Sequence, residues 1–139
     1  MTSRRRTSRS TKPRTVVRIL LGAAMTWAGV SHLTVARQEF RAQVPEFVPL
    51  DPDVTVLASG IAEISLGAAL MLLVRRQATV GWVAAVFFTA IFPGNIAQWM
   101  HHRDGFGLDT DTKRFVRLLF QPVLIAVALW ATNALRKRR

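Results

Sequence analysis

Five polar side chains stand inside otherwise apolar stretches of the sequence, where they could bind a ligand or exchange protons with it. They are an imidazole, a carboxylate, two carboxamides and a guanidinium: His32, Glu63, Asn95, Gln121 and Arg117. The acid or the imidazole could act as a proton donor or acceptor, and the amides could donate hydrogen bonds to carbonyl oxygens. A charge near the centre of a bilayer costs about 2.5–3.5 kcal/mol, so such groups usually face a bundle interior or a wet cavity and mark function.

Four apolar stretches must position these side chains. The length of each stretch is close to the roughly 20 residues that a helix needs to cross a hydrocarbon core. The four stretches are residues 15–36, 54–74, 78–100 and 115–133. No strand-like alternation competes with this interpretation, and in lipid only helices and closed barrels satisfy their backbone. The sequence therefore predicts an all-α polytopic membrane protein, a four-transmembrane-helix bundle over residues 15–133.

The third predicted span contains a helix breaker. Pro93 cannot donate to the carbonyl of Thr89, and its ring presses on that turn. Gly94 and Asn95 follow, and Asn95 shares a helix face with Gln98. We expect a kinked third helix whose irregular part is turned toward protein. The simpler alternative is a structural kink whose amide only holds helices together.

Basic residues are concentrated on one side of this bundle. The formal charge is +11, and thirteen of the 19 Lys and Arg fall in residues 1–18, 75–76 and 136–139. Such clustering between apolar runs argues against a nucleic-acid partner. Short loops rich in Lys and Arg stay in the cytoplasm, so we predict an inner (plasma) membrane protein with both termini cytoplasmic. The alternative is an N-terminal signal segment that is cleaved before about Arg37.

The two basic tails, residues 1–14 and 134–139, should attract anionic lipid headgroups. With the termini inside, four of the polar side chains fall roughly 6–13 Å from the outer ends of their spans. These four are His32, Glu63, Asn95 and Gln121. The inner half of each span is expected to be nearly free of polar groups other than Thr and Ser. The sequence therefore predicts one shared polar pocket in the outer half of the bilayer.

Small residues and a basic residue accompany these side chains. Glu63 shares its helix face with Ser59, Gly60 and Gly67, and His32 shares one with Gly22 and Gly29. Small residues let a neighbouring helix pack closely. Arg117, one turn before Gln121, is the expected partner of Glu63.

The connections outside the spans carry weaker signals. Phe40, Val44 and Phe47 have amphipathic spacing and predict an interfacial segment over the outer mouth of the bundle. A second loop contains histidines and aspartates without the spacing of a metal site, so no metal is predicted; these are His101, His102, Asp104, Asp109 and Asp111. The chain has no cysteine, which excludes thiol redox chemistry and Cys-ligated clusters of its own.

Five motifs stand in the order and spacing of DoxX-like membrane proteins: GVSHL (29–33), VPEFVP (44–49), SGIAEISLGAALML (59–72), FPGNIAQ (92–98) and LFQPVLI (119–125). The chain resembles this family over about residues 15–133, with Leu33 and Gly94 departing from its usual residues. The resemblance implies a four-helix inner-membrane protein with recurring polar positions at His32, Glu63, Asn95 and Gln121. It also implies a link with thiosulfate:quinone oxidoreduction or with membrane complexes of oxidative and thiol stress.

Three functions remain open at this point. A redox-associated membrane subunit would bind a quinone headgroup or a small polar substrate in the pocket, next to a membrane or periplasmic redox partner protein. A structural or assembly protein would use the polar cluster only to hold its helices together. A small proton-coupled transporter would use Glu63 for coupling. A quinone is the candidate cofactor, and whether the chain is an enzyme is left open.

Overall fold

The computed structural model describes residues 11–34, 41, 44–102 and 110–136. It contains four helices, which are α1 (Lys12–Leu33), α2 (Pro52–Leu72), α3 (Gln77–Met100) and α4 (Asp111–Ala131), and a 3-10 turn (Val74–Arg76) between α2 and α3. Each of the four is long and apolar enough to cross a membrane, and the described residues contain no strand. The predicted all-α four-helix membrane bundle is confirmed.

The helices begin a few residues before the predicted spans, because polar residues and prolines can start a helix outside the apolar stretch. The Asp51 side chain accepts from the Asp53 amide at 2.8 Å, and the Thr110 hydroxyl accepts from the Lys113 amide at 3.2 Å. α1 likewise begins at Lys12, with a proline in its first turn, so the end of the predicted tail 1–14 is helical. Residues 1–10 and 137–139 of the two basic tails lie outside the described residues.

The bundle consists of two antiparallel hairpins. α1 packs along α2 and α3 packs along α4, and the hairpins meet where α1 contacts α4 and α2 contacts α3. We name the end that holds Lys12, the turn Val74–Arg76 and Ala131 the terminal end. The opposite end, next to residues 44–51, is the loop end, and the two halves of the bundle are named after these ends.

Four glycines bring the backbones of α1 and α2 into contact. Gly22 and Gly29 of α1 lie against Gly67 and Gly60 of α2. A Cβ atom on Gly29 would lie 2.6 Å from the Gly60 carbonyl oxygen, and one on Gly60 would lie 2.8 Å from the Cβ of His32. Close backbone approach at small residues is a main source of helix association in membranes. It sets His32 directly against α2.

The apolar core fills the terminal half of the bundle. It comes from the middle of α1, the first half of α3 and the last halves of α2 and α4, and comprises Leu21, Met25, Leu70, Val80, Ala84, Phe88 and Ala128. Most buried polar side chains lie in the loop half instead, including His32, Glu63, Asn95, Gln98 and Gln121.

Arg18 corrects the expectation of an inner half nearly free of polar groups. It is buried at the terminal end and donates from Nη1 to the carbonyls of Leu70 and Met71 in the last turn of α2. One turn earlier, Arg14 donates to the Trp130 carbonyl at 3.0 Å, at the end of α4. The last carbonyls of a helix lack helical donors and carry partial negative charge, which favours a cation there. The two arginines of α1 therefore cap its two neighbours.

Pro93 lies within α3, which continues without a break to Met100. The Thr89 carbonyl lacks its usual donor because proline has no N–H, and the Thr89 hydroxyl donates to the Ala85 carbonyl at 2.8 Å. Pro93 itself is exposed, whereas Gly94 and Asn95 are buried. The polar face that follows the proline is thus turned into the bundle.

Gly60→Val should destabilise the protein, because its side chain would collide with His32 Cβ and force α1 away from α2. We expect a loss of about 1–3 kcal/mol in the free energy of unfolding, as for other overpacked sites. Thermal unfolding in detergent measures it. Ala58→Val is the matched control, since Ala58 is exposed on the same helix. Equal melting temperatures for the two variants would contradict the close contact.

Candidate functional site

A cavity of about 510 Å³ lies in the loop half, bordered by all four helices and by residues 44–48. Three ionisable side chains line it, His32, Glu63 and Arg117, and much of the remaining wall is apolar, including Phe87 and Ile91. This volume is within the range of small-molecule sites, which combine apolar walls with a few polar groups.

His32 and Glu63 form a buried pair across the α1–α2 contact. The His32 Nδ1 atom lies 3.1 Å from Glu63 Oε2 and 2.8 Å from the Ala28 carbonyl oxygen. Because Nδ1 approaches an obligate acceptor, it carries its hydrogen and donates to Ala28. The carboxylate oxygen is near the ring but has no hydrogen bond from any described residue. Glu63 is 7% exposed, so this oxygen is a buried acceptor beside a cavity.

Asn95 and Gln121 form a second pair, between α3 and α4. Asn95 Nδ2 donates to Gln121 Oε1 at 3.2 Å, and Gln121 Nε2 donates to the Phe88 carbonyl at 2.8 Å. Both residues are buried, but neither lines the cavity. Asn95 Oδ1 has no hydrogen-bond partner among the described residues. One pocket shared by all four side chains was predicted, and the structure shows the amides beside it.

Arg117 connects the two pairs. It lines the cavity, and its Nη1 donates to Gln121 Oε1 at 3.4 Å. The Glu63 carboxylate is near enough to attract the guanidinium electrostatically, but the described residues include no salt bridge between them. The predicted partnership is thus an interaction across the cavity, with the direct hydrogen bond going to Gln121.

Residues 44–48 cover the loop end of the cavity. Val44, Pro45, Phe47 and Val48 all line it, and the Phe47 side chain is 77% exposed. This agrees with the predicted apolar segment over the mouth, although Phe40 lies outside the described residues. Four apolar side chains of the described loop residues therefore border the cavity at this end.

The model for the family described as "Domain of unknown function (DUF8561)" matches residues 21–132 of the chain. The chain belongs to the DUF8561 family. The matched range contains His32, Glu63, Asn95, Arg117 and Gln121. No curated protein and no solved structure matches the chain.

In this DUF8561 protein a charged cluster joins a residue just after the end of α3 to the first turn of α4. The sequence pattern predicts a loop there. His102 Nδ1 lies 2.6 Å from Asp111 Oδ1, and Arg114 Nη1 donates to the same oxygen at 2.9 Å. Arg114 is only 5% exposed. The spacing of Asp111 and Arg114, three residues apart on a helix, was the available signal.

Residues 103–109, which include Asp104 and Asp109, lie outside the described residues. Within the described residues no group of three His, Cys, Asp or Glu could hold a metal ion.

Asn95→Leu and Gln121→Leu should each destabilise the DUF8561 bundle, and the double variant should cost less than their sum. The reason is that either change alone removes the bond between the two amides. We expect a coupling energy of about 0.5–1.5 kcal/mol, the range measured for hydrogen bonds between membrane helices. A double-mutant cycle of unfolding in detergent measures it. Strict additivity would show that the amide contact contributes nothing.

Proposed function

We propose that this DUF8561 protein is a DoxX-like, redox-associated subunit of the inner membrane that binds a quinone headgroup in its cavity. The observation that carries the proposal is a buried Glu63 oxygen without a hydrogen bond, beside His32, on a side chain that lines a largely apolar cavity of about 510 Å³. A quinone ring is a flat apolar body with two carbonyl oxygens. Apolar walls with a few polar groups at fixed positions suit such a molecule.

The cavity residues have distinct roles in this proposal. The Arg117 guanidinium can only donate hydrogen bonds, so it would hold one ring carbonyl. Glu63, when protonated, would donate a hydrogen bond to the other and supply one proton there, and His32 beside it would help to reload the carboxyl group. A quinone bound here would supply two-electron, two-proton chemistry, and the second proton would come from water, because Arg117 does not release one. A membrane or periplasmic redox partner protein would supply the electrons, because this chain has no cysteine.

A structural or assembly role is the second candidate, and the amide pair favours it. Gln121 is fully buried, and its oxygen and nitrogen both bond within the bundle. Such a network holds α3 to α4 without any ligand. A proton-coupled transporter is the less favoured alternative, since the cluster of buried side chains in the terminal half is apolar.

The proposed location is the inner (plasma) membrane, with both termini in the cytoplasm. Support comes from the charge distribution: the terminal end holds Arg14, Arg18, Arg75, Arg76 and Arg136 among its described residues. Positive charge is retained on the cytoplasmic side, and basic tails attract anionic lipid headgroups. In this orientation the cavity lies nearer the outer face.

Glu63→Gln should weaken quinone binding by about fivefold, because an amide N–H is a weaker hydrogen-bond donor than the O–H of a carboxylic acid, and a loss of about 1 kcal/mol corresponds to that factor. Binding of decyl-substituted benzoquinone to the purified protein in vesicles measures it. Asp53→Asn is the matched control, since this carboxylate lies on the same helix outside the cavity lining.

The same variants separate the two candidate functions. If the wild-type protein binds no quinone and Glu63→Gln only lowers the melting temperature, the structural role is correct. If Glu63→Gln and Asp53→Asn bind quinone as well as the wild type does, Glu63 has no part in the site.

The orientation can be tested with single cysteines, since the chain has none of its own. Glu46→Cys, near the loop end, should react with a membrane-impermeant maleimide added to intact cells. Arg76→Cys, in the turn at the terminal end, should react only after the membrane is permeabilised. The reverse pattern would place the termini outside.

A further inference from the structure

We infer that the cavity opens sideways into the lipid, so that its ligand is an uncharged amphiphile that arrives through the bilayer and leaves its tail there. The inference rests on the proposed function in one respect, that the cavity binds a small molecule. It adds the route of access and the class of ligand.

The mouth of the cavity is on the flank of α3. Ala90 and Pro93 line the cavity and are also exposed. At about 1.5 Å per residue they lie roughly 15 and 10 Å below Met100, the loop-end residue of the helix. The hydrocarbon core is about 30 Å thick, so an opening at this depth faces acyl chains. It does not face water.

The described cavity lining from the loop segment is apolar. Val44, Pro45 and Val48 line the cavity there and are half-buried, while Phe47 lines it and is exposed. A ligand dissolved in water would pass these apolar side chains, whereas a ligand dissolved in lipid reaches the mouth at Ala90 and Pro93 directly.

Helix packing places the mouth at the seam between the hairpins. α2 and α3 contact each other much less extensively than the helices within either hairpin do. The turn Val74–Arg76 joins them at the terminal end, while cavity-lining residues separate them in the loop half, with Ser59 on α2 and Ile91 on α3.

The charges lining the cavity favour an uncharged headgroup. Glu63 and Arg117, whose formal charges are of opposite sign, line the same cavity. The lining therefore does not present several fixed charges of one sign to a headgroup. A charged headgroup would also meet a large cost in reaching the mouth through hydrocarbon. An uncharged headgroup with carbonyl or hydroxyl oxygens can cross the hydrocarbon at lower cost and can still form hydrogen bonds with the lining.

The size of the cavity implies that a long tail stays outside. About 510 Å³ is enough for a ring-sized headgroup, and a polyprenyl chain exceeds it. The tail would leave past Ala90 and Pro93, both of which line the cavity and are exposed on α3.

A series of benzoquinones with no tail, a decyl tail and a polyprenyl tail tests the inference. The purified full chain is placed in vesicles of phosphatidylethanolamine and phosphatidylglycerol, and bound quinone is measured at equal concentration per lipid. We expect the three affinities to agree within about threefold, because the tail lies in lipid. Binding of the tailless quinone with loss of the polyprenyl one would overturn the lateral mouth and leave the proposed function standing.

Ala90→Trp should obstruct the mouth. We expect the affinity for polyprenyl quinone to fall by about tenfold or more. Val86→Trp is the matched control, because Val86 is 66% exposed one turn away on α3 and does not line the cavity. Equal affinities for the two variants would overturn the inference. If no quinone of the series binds the wild-type protein, the proposed function fails as well.

Discussion

The backbone contact between α1 and α2 is the constraint on which the cavity depends. Gly29 and Gly60 meet so closely that neither could carry a Cβ atom, and His32 lies one turn from this contact. The imidazole therefore comes within 3.1 Å of Glu63 without a long side chain having to reach across. Rigid helices hold this geometry more accurately than loops would. Any residue larger than glycine at the contact would separate the acid from the imidazole.

The two halves of the bundle satisfy their buried polar groups in different ways. At the terminal end, Arg14 and Arg18 neutralise the ends of α4 and α2, and an apolar core fills the space between the helices. In the loop half the polar groups are paired only in part, and a cavity remains. Since the turn Val74–Arg76 joins α2 to α3 at the closed end, the hairpins can be furthest apart where the polar side chains lie. The apolar core and the cavity therefore lie toward opposite ends of the same helices.

Much of this arrangement could be predicted from the sequence, because length, hydropathy and helical period fix which residues lie in lipid and at what depth. The four helices, the glycine faces and the grouping of His32 with Glu63 at one pocket follow from that information. The rotation of each helix about its own axis does not follow from the sequence. For this reason the sequence pattern predicts Asn95 and Gln121 in the pocket, whereas the structure shows them bonded to each other beside the cavity. Arg18 was interpreted as a topology signal because no local pattern reveals a cap on another helix.

Gln121 and Glu63 show two different uses of a buried polar side chain: one holds helices together, and the other lines the candidate site. A buried polar group in a membrane is stabilising only when its hydrogen bonds are made within the protein. Gln121 meets this condition, since its nitrogen donates to Phe88 and its oxygen accepts from Asn95. Asn95 retains one oxygen without a donor, but it is turned away from the cavity. Glu63 retains a buried oxygen without a hydrogen bond from any described residue, and its side chain lines the cavity. The proposal of a bound small molecule rests on this difference, because such a molecule would complete the hydrogen bonding of the carboxyl group.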